Sequence, residues 1–324
     1  MREPYLQLAR AKWNDTLAAA GFLPQDRKSA NVLAGALVAA YVVALALSLL
    51  GTLVPANQPT ASAEPITLDE LTQAYRKAAS SSRKISPAIP RVPTLFLDRF
   101  PTDYGMTGDI AQTKQHFVQV VLPLILAENR RVRRQRASIE GLLARTRSGL
   151  SLRPSQHEFL RDLAVLYRAA GLEADELSNR VDAVPPSLAL AQAAEESSWG
   201  RSRFAREGNA LFGQWTYDRS RGLVPRRRPE NAQHLVRKFA GLRASVRAYM
   251  INLNTHPSYE EFRRGRSAMR AGYGEALDGY ALARRLHNYS ERGAAYSASI
   301  RAIIRVNRFD RYDRARLTPA QQRS

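Results

Sequence analysis

The 324-residue sequence predicts a mostly helical α+β chain that carries one small inserted β-hairpin and is preceded by a transmembrane helix. Three observations predict it. A charge-free apolar run lies near the N-terminus, apolar residues recur at helical spacing through most of the later chain, and that spacing is interrupted once by short apolar runs set between Gly, Pro and Asn.

The apolar run comes first. No charged residue stands between Lys28 and Glu64, and Val32 to Val54 is apolar for about the 20 residues that a helix needs to cross a bilayer. Arg2, Arg10, Lys12, Arg27 and Lys28 precede it, whereas Glu64, Asp69 and Glu70 follow, so the positive-inside bias keeps residues 1–31 cytoplasmic and exports everything after Val54. The alternative is a cleaved signal peptide, to which the small residues of "ASA" at 61–63 would belong. Residues 55–91, rich in Pro, Ser, Ala and Thr, read as a flexible tether with a short helix at 68–79. The folded domain is expected over 92–310, with a basic tail over 311–324, which places a single-pass protein in the cytoplasmic membrane with its domain in the periplasm or cell exterior.

Within the domain, residues 113–146 have helical composition, with Pro123 expected to kink the helix and "RRVRRQR" (130–136) expected on a solvated side. Phe159, Leu163, Leu166 and Tyr167 mark a second helix, stopping at Gly171. Residues 214–241 carry the hairpin pattern. Val246, Tyr249, Met250 and Leu253, and later Tyr296, Ile300, Ile303 and Ile304, each form one apolar stripe. A net charge of +20 favours anionic partners without choosing among them, and the exported topology weighs against nucleic acid. With no cysteine, there is no disulfide framework or thiolate nucleophile.

The stretch "ALAQAAEESSWGRS" (189–202) runs an Ala-rich helix, with Ser187 as its expected cap, into Glu195 and Glu196. Neighbouring side chains on a helix point about 100° apart, so one acid can be solvated while the other faces a cleft. At the C-terminal pole of a helix and beside Trp199, a carboxyl is expected to hold its proton, as a glycosidase general acid must. On composition and spacing alone, such an acidic pair reads as surface charge rather than as a catalytic site.

The run "PPSLALAQAAEESSWGRSRFAREGNALFGQW" (185–215) resembles the exported N-acetylglucosaminidases of glycoside hydrolase family 73, with their E-S-x-W-G turn at 196–200 and N-x-L-F-G stretch at 209–213. Similarity to the Bax-like branch extends through 92–101, 236–259 and 289–304. The resemblance implies a lysozyme-like fold and hydrolysis of the β-1,4 bond on the reducing side of N-acetylglucosamine in peptidoglycan, the glycan strands being the partner. It implies Glu196 as general acid, while Glu195 falls where a hydrophobic residue usually stands. Tyr289 of "YSERG" matches the active-site tyrosine of the family's Y-x-x-D element, and Glu291 occupies or neighbours its acidic position. Trp199 and Phe212 are expected either to shape the cleft floor or to pack in the core, and Asn209 and Gly213 to turn the backbone toward the sugar.

The sequence departs from the family where some members carry a second carboxylate, offering only Asp218 and Glu230. Two mechanisms stay open: inversion by a hairpin carboxylate across about 6.5 to 9.5 Å, or assistance by the sugar's own acetamido oxygen. His234, His256 and His287 have no metal-ligand spacing, and no metal or cofactor is expected. The rival readings are a lytic transglycosylase on the same scaffold and a non-catalytic wall-binding module.

Overall fold

The computed structural model describes residues 67–82, 89–106, 108–171, 174–225, 233–273 and 277–318, so the expected membrane span at 32–54 lies outside the described residues. Among the described residues no helix is long and apolar enough to cross a membrane. The described chain is mostly helical with two small sheets.

Helix α1 (Leu68–Ser82) starts with a reciprocal cap: the Thr67 N–H donates to Glu70 at 2.8 Å, and the Glu70 N–H donates to the Thr67 hydroxyl at 3.3 Å. Leu68 and Leu71 are buried in the main core, with Tyr75 packed against it. These spacings put one face of the helix on the domain. The helix expected at 68–79 is therefore present, and Leu68, Leu71 and Tyr75 seat it on the domain within the stretch read as a flexible tether. β1 (Arg91–Val92) follows.

Helix α2 (Ile110–Arg147) is capped by Asp109, whose carboxylate accepts from the Ala111 N–H at 2.7 Å. It continues through Pro123, the expected kink site. Proline has no N–H to offer the carbonyl four residues back. That carbonyl, on Gln119, accepts instead from the Tyr75 hydroxyl at 2.9 Å. The first half of α2 lies in the main core; the second half supports a smaller one, in which Val132 and Ile139 meet Leu163, Tyr167, Leu177 and Val181. These last come from α3 (Pro154–Leu166), α4 (Ala174–Arg180) and their flanks. α3 stops at Leu166, short of the expected Gly171, because Arg168 turns left-handed (φ 53°) and the Ala169 N–H bonds back to the Ala164 carbonyl at 2.7 Å. The basic run on α2 is not simply solvated: Val132 is buried, Arg131 pairs with Glu128 at 2.8 Å and Arg136 with Glu140 at 2.8 Å.

Helix α5 (Pro186–Ser197) passes through the centre, buried from Pro186 to Ala194. Its alanines let neighbouring helices approach closely. After α6 (Arg203–Gly208), the excursion expected as a hairpin forms a three-stranded antiparallel sheet, β2 (Trp215–Thr216), β3 (Gly222–Leu223) and β4 (Leu235–Arg237), with β4 in the middle. Val236 stands opposite both Trp215 and Leu223. Helices α7 (Leu242–Thr255), α8 (Glu260–Tyr273), α9 (Gly279–Leu282) and α10 (Ala294–Val306) complete the domain. The stripes expected on α7 and α10 are buried at Val246, Tyr249, Met250 and Leu253 and at Tyr296, Ile300 and Ile304.

Two long-range ties close the fold. The buried Glu128 carboxylate on α2 receives Arg243 and Arg247 of α7 at 2.7 and 2.9 Å. Burial alone would raise this carboxyl, but hydrogen bonds from Arg247, Arg131 and Arg243 outweigh it and hold it down at about 2. β5 (Arg316–Leu317) pairs in parallel with β1, Arg91 facing Arg316 and Val92 facing Leu317. The first part of the expected basic tail, through residue 318, thus belongs to the domain.

Candidate active site

The site is built on α5. Pro185 and not Ser187 occupies its N-cap position, and its first turn is capped from a distance. The Asp313 carboxylate accepts from the Ser187 N–H and hydroxyl at 2.8 Å each and from the Gly279 N–H at 3.0 Å. At the other end, Ser198, Trp199 and Gly200 turn left-handed in succession, with φ of 51°, 57° and 75°. The Ser197 hydroxyl holds the turn by accepting the Gly200 N–H at 2.8 Å. Only glycine fits at position 200, since a Cβ there would lie 2.5 Å from the Phe100 ring. Of the two roles expected for Trp199, the structure shows core packing: its ring lies edge-on to Phe117 and Phe309 at 5.5 and 6.0 Å, and its carbonyl accepts from the Tyr104 hydroxyl at 2.7 Å.

Glu196 is half-buried in the last turn of α5. Burial raises its pKa and the neighbouring Glu195 adds to this, while a hydrogen bond with Tyr296 and the charge of Arg292 pull the other way; the balance is a raised pKa. The aromatic surroundings come from tyrosines, not from Trp199. Tyr249, Tyr259, Tyr289 and Tyr296 all feel the Glu196 charge, and burial raises each phenol above its ordinary value, keeping the hydroxyls neutral. The four rings cluster around Tyr289, which lies parallel to Tyr296 at 5.3 Å, tilted to Tyr259 at 5.7 Å and edge-on to Tyr249 at 6.5 Å.

A relay orients the carboxyl. The Tyr249 hydroxyl donates to Gln192 Oε1 at 2.7 Å, and Gln192 Nε2 donates to the Tyr296 oxygen at 2.9 Å. With that oxygen accepting from Gln192, the Tyr296 proton is left for Glu196. Gln192 lies one helical turn before Glu196 on the same face of α5. Sequence reasoning missed Gln192, Tyr249, Tyr259 and Tyr296 as site residues. The available signal was a lone amide inside the apolar run 188–194, four residues before the acid.

The N-x-L-F-G segment brings backbone to the carboxyl. Gly213 has φ of 60°, and a Cβ there would lie 3.3 Å from Glu196 Oε2. Phe212 stacks on Tyr249 at 3.8 Å, and its carbonyl accepts a long 3.4 Å bond from the Tyr289 hydroxyl. Asn209 caps α6 with φ of 52° and donates from Nδ2 to the Phe239 carbonyl at 3.1 Å, which fixes the start of this segment. Glu195 pairs with Arg292 at 2.7 Å, tying α5 to the turn that carries Tyr289.

The structure thus gathers Glu196, Tyr289, Phe212 and Gly213. It does not draw the other expected residues into this cluster. Glu291 is exposed on its turn. Asp218 is exposed and caps the turn at 219–221, accepting from the Ser220 hydroxyl and N–H at 2.6 and 2.9 Å; these bonds lower its pKa. Glu230 lies outside the described residues. His234 stacks on Trp215, His256 Nδ1 accepts from the Ser258 N–H at 3.2 Å, and His287 is 3.9 Å from Glu261. Among the described residues no group of three or more acidic or histidine side chains is placed to hold a metal ion.

A central helix that ends in a half-buried carboxyl of raised pKa, beside backbone turned close to that carboxyl, presents a group able to hold and release a proton. Residues 172–309, which include these groups, match the glucosaminidase family, described as mannosyl-glycoprotein endo-beta-N-acetylglucosaminidase, and the chain belongs to that family. It is 30% identical over 203 residues to Protein bax of Escherichia coli (strain K12), a match covering 60% of this chain and 69% of that protein. No solved structure matches the chain.

Proposed function

We propose that the protein is an exported peptidoglycan hydrolase that cleaves the β-1,4 bond on the reducing side of N-acetylglucosamine, with Glu196 as general acid and the domain read as lysozyme-like. The observation that carries this is the Glu196 carboxyl, raised in pKa by burial and aimed by the Tyr249–Gln192–Tyr296 relay beside Gly213. Protonated Glu196 delivers its proton to the glycosidic oxygen as the bond to the anomeric carbon breaks. The acetamido oxygen of the same sugar attacks that carbon, giving a cyclic oxazolinium. Water then opens it, returning a proton to the Glu196 carboxylate. Substrate assistance is favoured over Asp218 as a hairpin base because Asp218 is committed to its own turn. Tyr289, whose hydroxyl makes only a long bond to Phe212, is the group proposed to hold the acetamido. The N-terminal segment 32–54 is proposed to anchor the protein in the cytoplasmic membrane.

Mass spectrometry of muropeptides released from sacculi tests this reading. New reducing N-acetylglucosamine ends support it, and anhydro ends would show a lytic transglycosylase instead. Glu196→Gln is expected to remove nearly all turnover while Glu195→Gln keeps most of it; equal losses would overturn the assignment of the acid.

A further inference from the structure

The small sheet carries an aromatic surface that the chemistry above does not use. Trp215 and Tyr217 are 59% and 74% exposed, although large aromatic rings are usually covered. Trp215 follows Gly213 by two residues, so its Cα is within about 7 Å of the glycine that abuts Glu196. Register defines which way the ring looks. Leu223, Val236 and Trp215 are cross-strand neighbours and share one face of the sheet, as does His234, two residues before Val236. At the β3 edge this face closes on the domain, where Leu223 Cδ1 would lie 2.8 Å from a Cβ on Gly208. At the β2 edge the same body-facing side is open, and there the indole lies flat on His234, at 4.2 Å between ring centres and 17° between planes. Gln214, between Gly213 and Trp215, has a buried Oε1 with no hydrogen-bond partner, an acceptor the protein leaves unused.

We propose that Trp215, braced by His234, is a sugar-binding wall of the cleft, stacking on the apolar face of a pyranose ring of the glycan strand next to the one that Glu196 protonates. The proposal rests on the glucosaminidase reading, but its chemistry is separate. A pyranose presents axial C–H groups on one face, and these lie well on an indole π-surface in the way apolar groups do. Because His234 already holds the ring, little side-chain freedom is lost when sugar arrives. Tyr217 continues the exposed surface toward the next unit of the strand. Contact of this kind is uncharged, so it selects for sugar rather than for the anionic groups of the wall.

Tetra-N-acetylchitotetraose is the probe, with binding to the full-length protein in detergent measured by calorimetry in the Glu196→Gln background and hydrolysis of sacculi measured in the Glu196 background. Trp215→Ala is expected to weaken binding and raise KM about tenfold with kcat within about twofold of the parent, and Trp215→Tyr to recover most of the loss. Unchanged binding in Trp215→Ala would overturn the proposal, as would an equal loss in the Ala and Tyr variants. The two readings fail separately: turnover surviving in Glu196→Gln would remove the general acid while leaving the Trp215 binding result in force, and intact binding in Trp215→Ala would remove the platform while leaving the acid in place.

Discussion

Replacing Asp313 by Asn should change how stability depends on pH, because this carboxylate caps the helix that carries Glu196 while itself half-buried. Burial pushes its pKa up, and three hydrogen bonds from Gly279 and Ser187 pull it down; burial wins, leaving it at about 6 against an ordinary 3.8. Below pH 3.8 the carboxyl is protonated in both the folded and the unfolded chain, and its contribution to stability is complete. As pH rises, the unfolded chain releases the proton first, so folding loses ground until the folded carboxyl ionises near pH 6, after which the loss is constant. A rise of about two units corresponds to about 3 kcal/mol lost across that window. The amide introduced by Asp313→Asn cannot ionise and also turns its NH2 toward one of the three donors, giving a pH-independent offset of about 1 kcal/mol. Urea unfolding of both proteins between about pH 3.5 and 7, followed by far-ultraviolet circular dichroism, isolates the residue, since every other group titrates alike in the pair. The parent should lose about 3 kcal/mol relative to the Asn variant between the ends of this range. A difference that stays flat with pH would refute the argument that burial dominates at Asp313.

Tyr296→Phe removes the hydrogen bond that favours ionised Glu196, so the Glu196 pKa should climb further and the alkaline limb of the kcat/KM profile should move to higher pH; movement to lower pH would contradict the relay. Gly213→Ala places a Cβ in a left-handed conformation 3.3 Å from the Glu196 carboxylate, and about 1–2 kcal/mol of stability and much of the activity should be lost, measurable by thermal unfolding and sacculus hydrolysis. Glu128→Ala leaves Arg131, Arg243 and Arg247 around an empty anion position, and a loss of about 3–5 kcal/mol in urea unfolding is expected. For topology, the full-length protein should resist extraction by alkaline carbonate, and a reporter fused after Ser324 that works only when exported should be active; a soluble product beginning near Glu64 would show cleavage instead.

Much of this fold could be read from periodicity, because long amphipathic helices state their buried face directly. The stripe Val246, Tyr249, Met250 and Leu253 is buried as its spacing requires, and so are Tyr296, Ile300 and Ile304 of α10, with Ile303 half-buried against the core. What periodicity could not separate was whether a tyrosine on such a stripe only fills space. Tyr249 and Tyr296 do both: their rings pack, and their hydroxyls, which need partners when buried, meet Gln192 and so point at Glu196. The same limit applied at the sheet. Strands of two and three residues carry too little alternation to reveal three partners, so the excursion read as a hairpin. Contacts made by segments outside 92–310 are hidden from the sequence for a related reason. Leu68, Leu71 and the 316–317 strand find their partners far away in sequence, and no local composition marks a docked segment against a loose one.

The position of the acid depends on those distant partners. Helix α5 has neither a side-chain cap of its own at the start nor an ion pair within itself at the end. Asp313 closes the first turn, while Tyr296 and Arg292 hold Glu196 and Glu195 at the last. All three come from residues 292–313, at the end of the described chain, and two of them are carried in or beside α10. The C-terminal part of the domain therefore sets both the direction in which α5 enters the core and the environment of the carboxyl where it leaves. A carboxyl placed in this way is preorganised only when the chain has folded through residue 313, so the ordering of Glu196 and the closure of the domain go together.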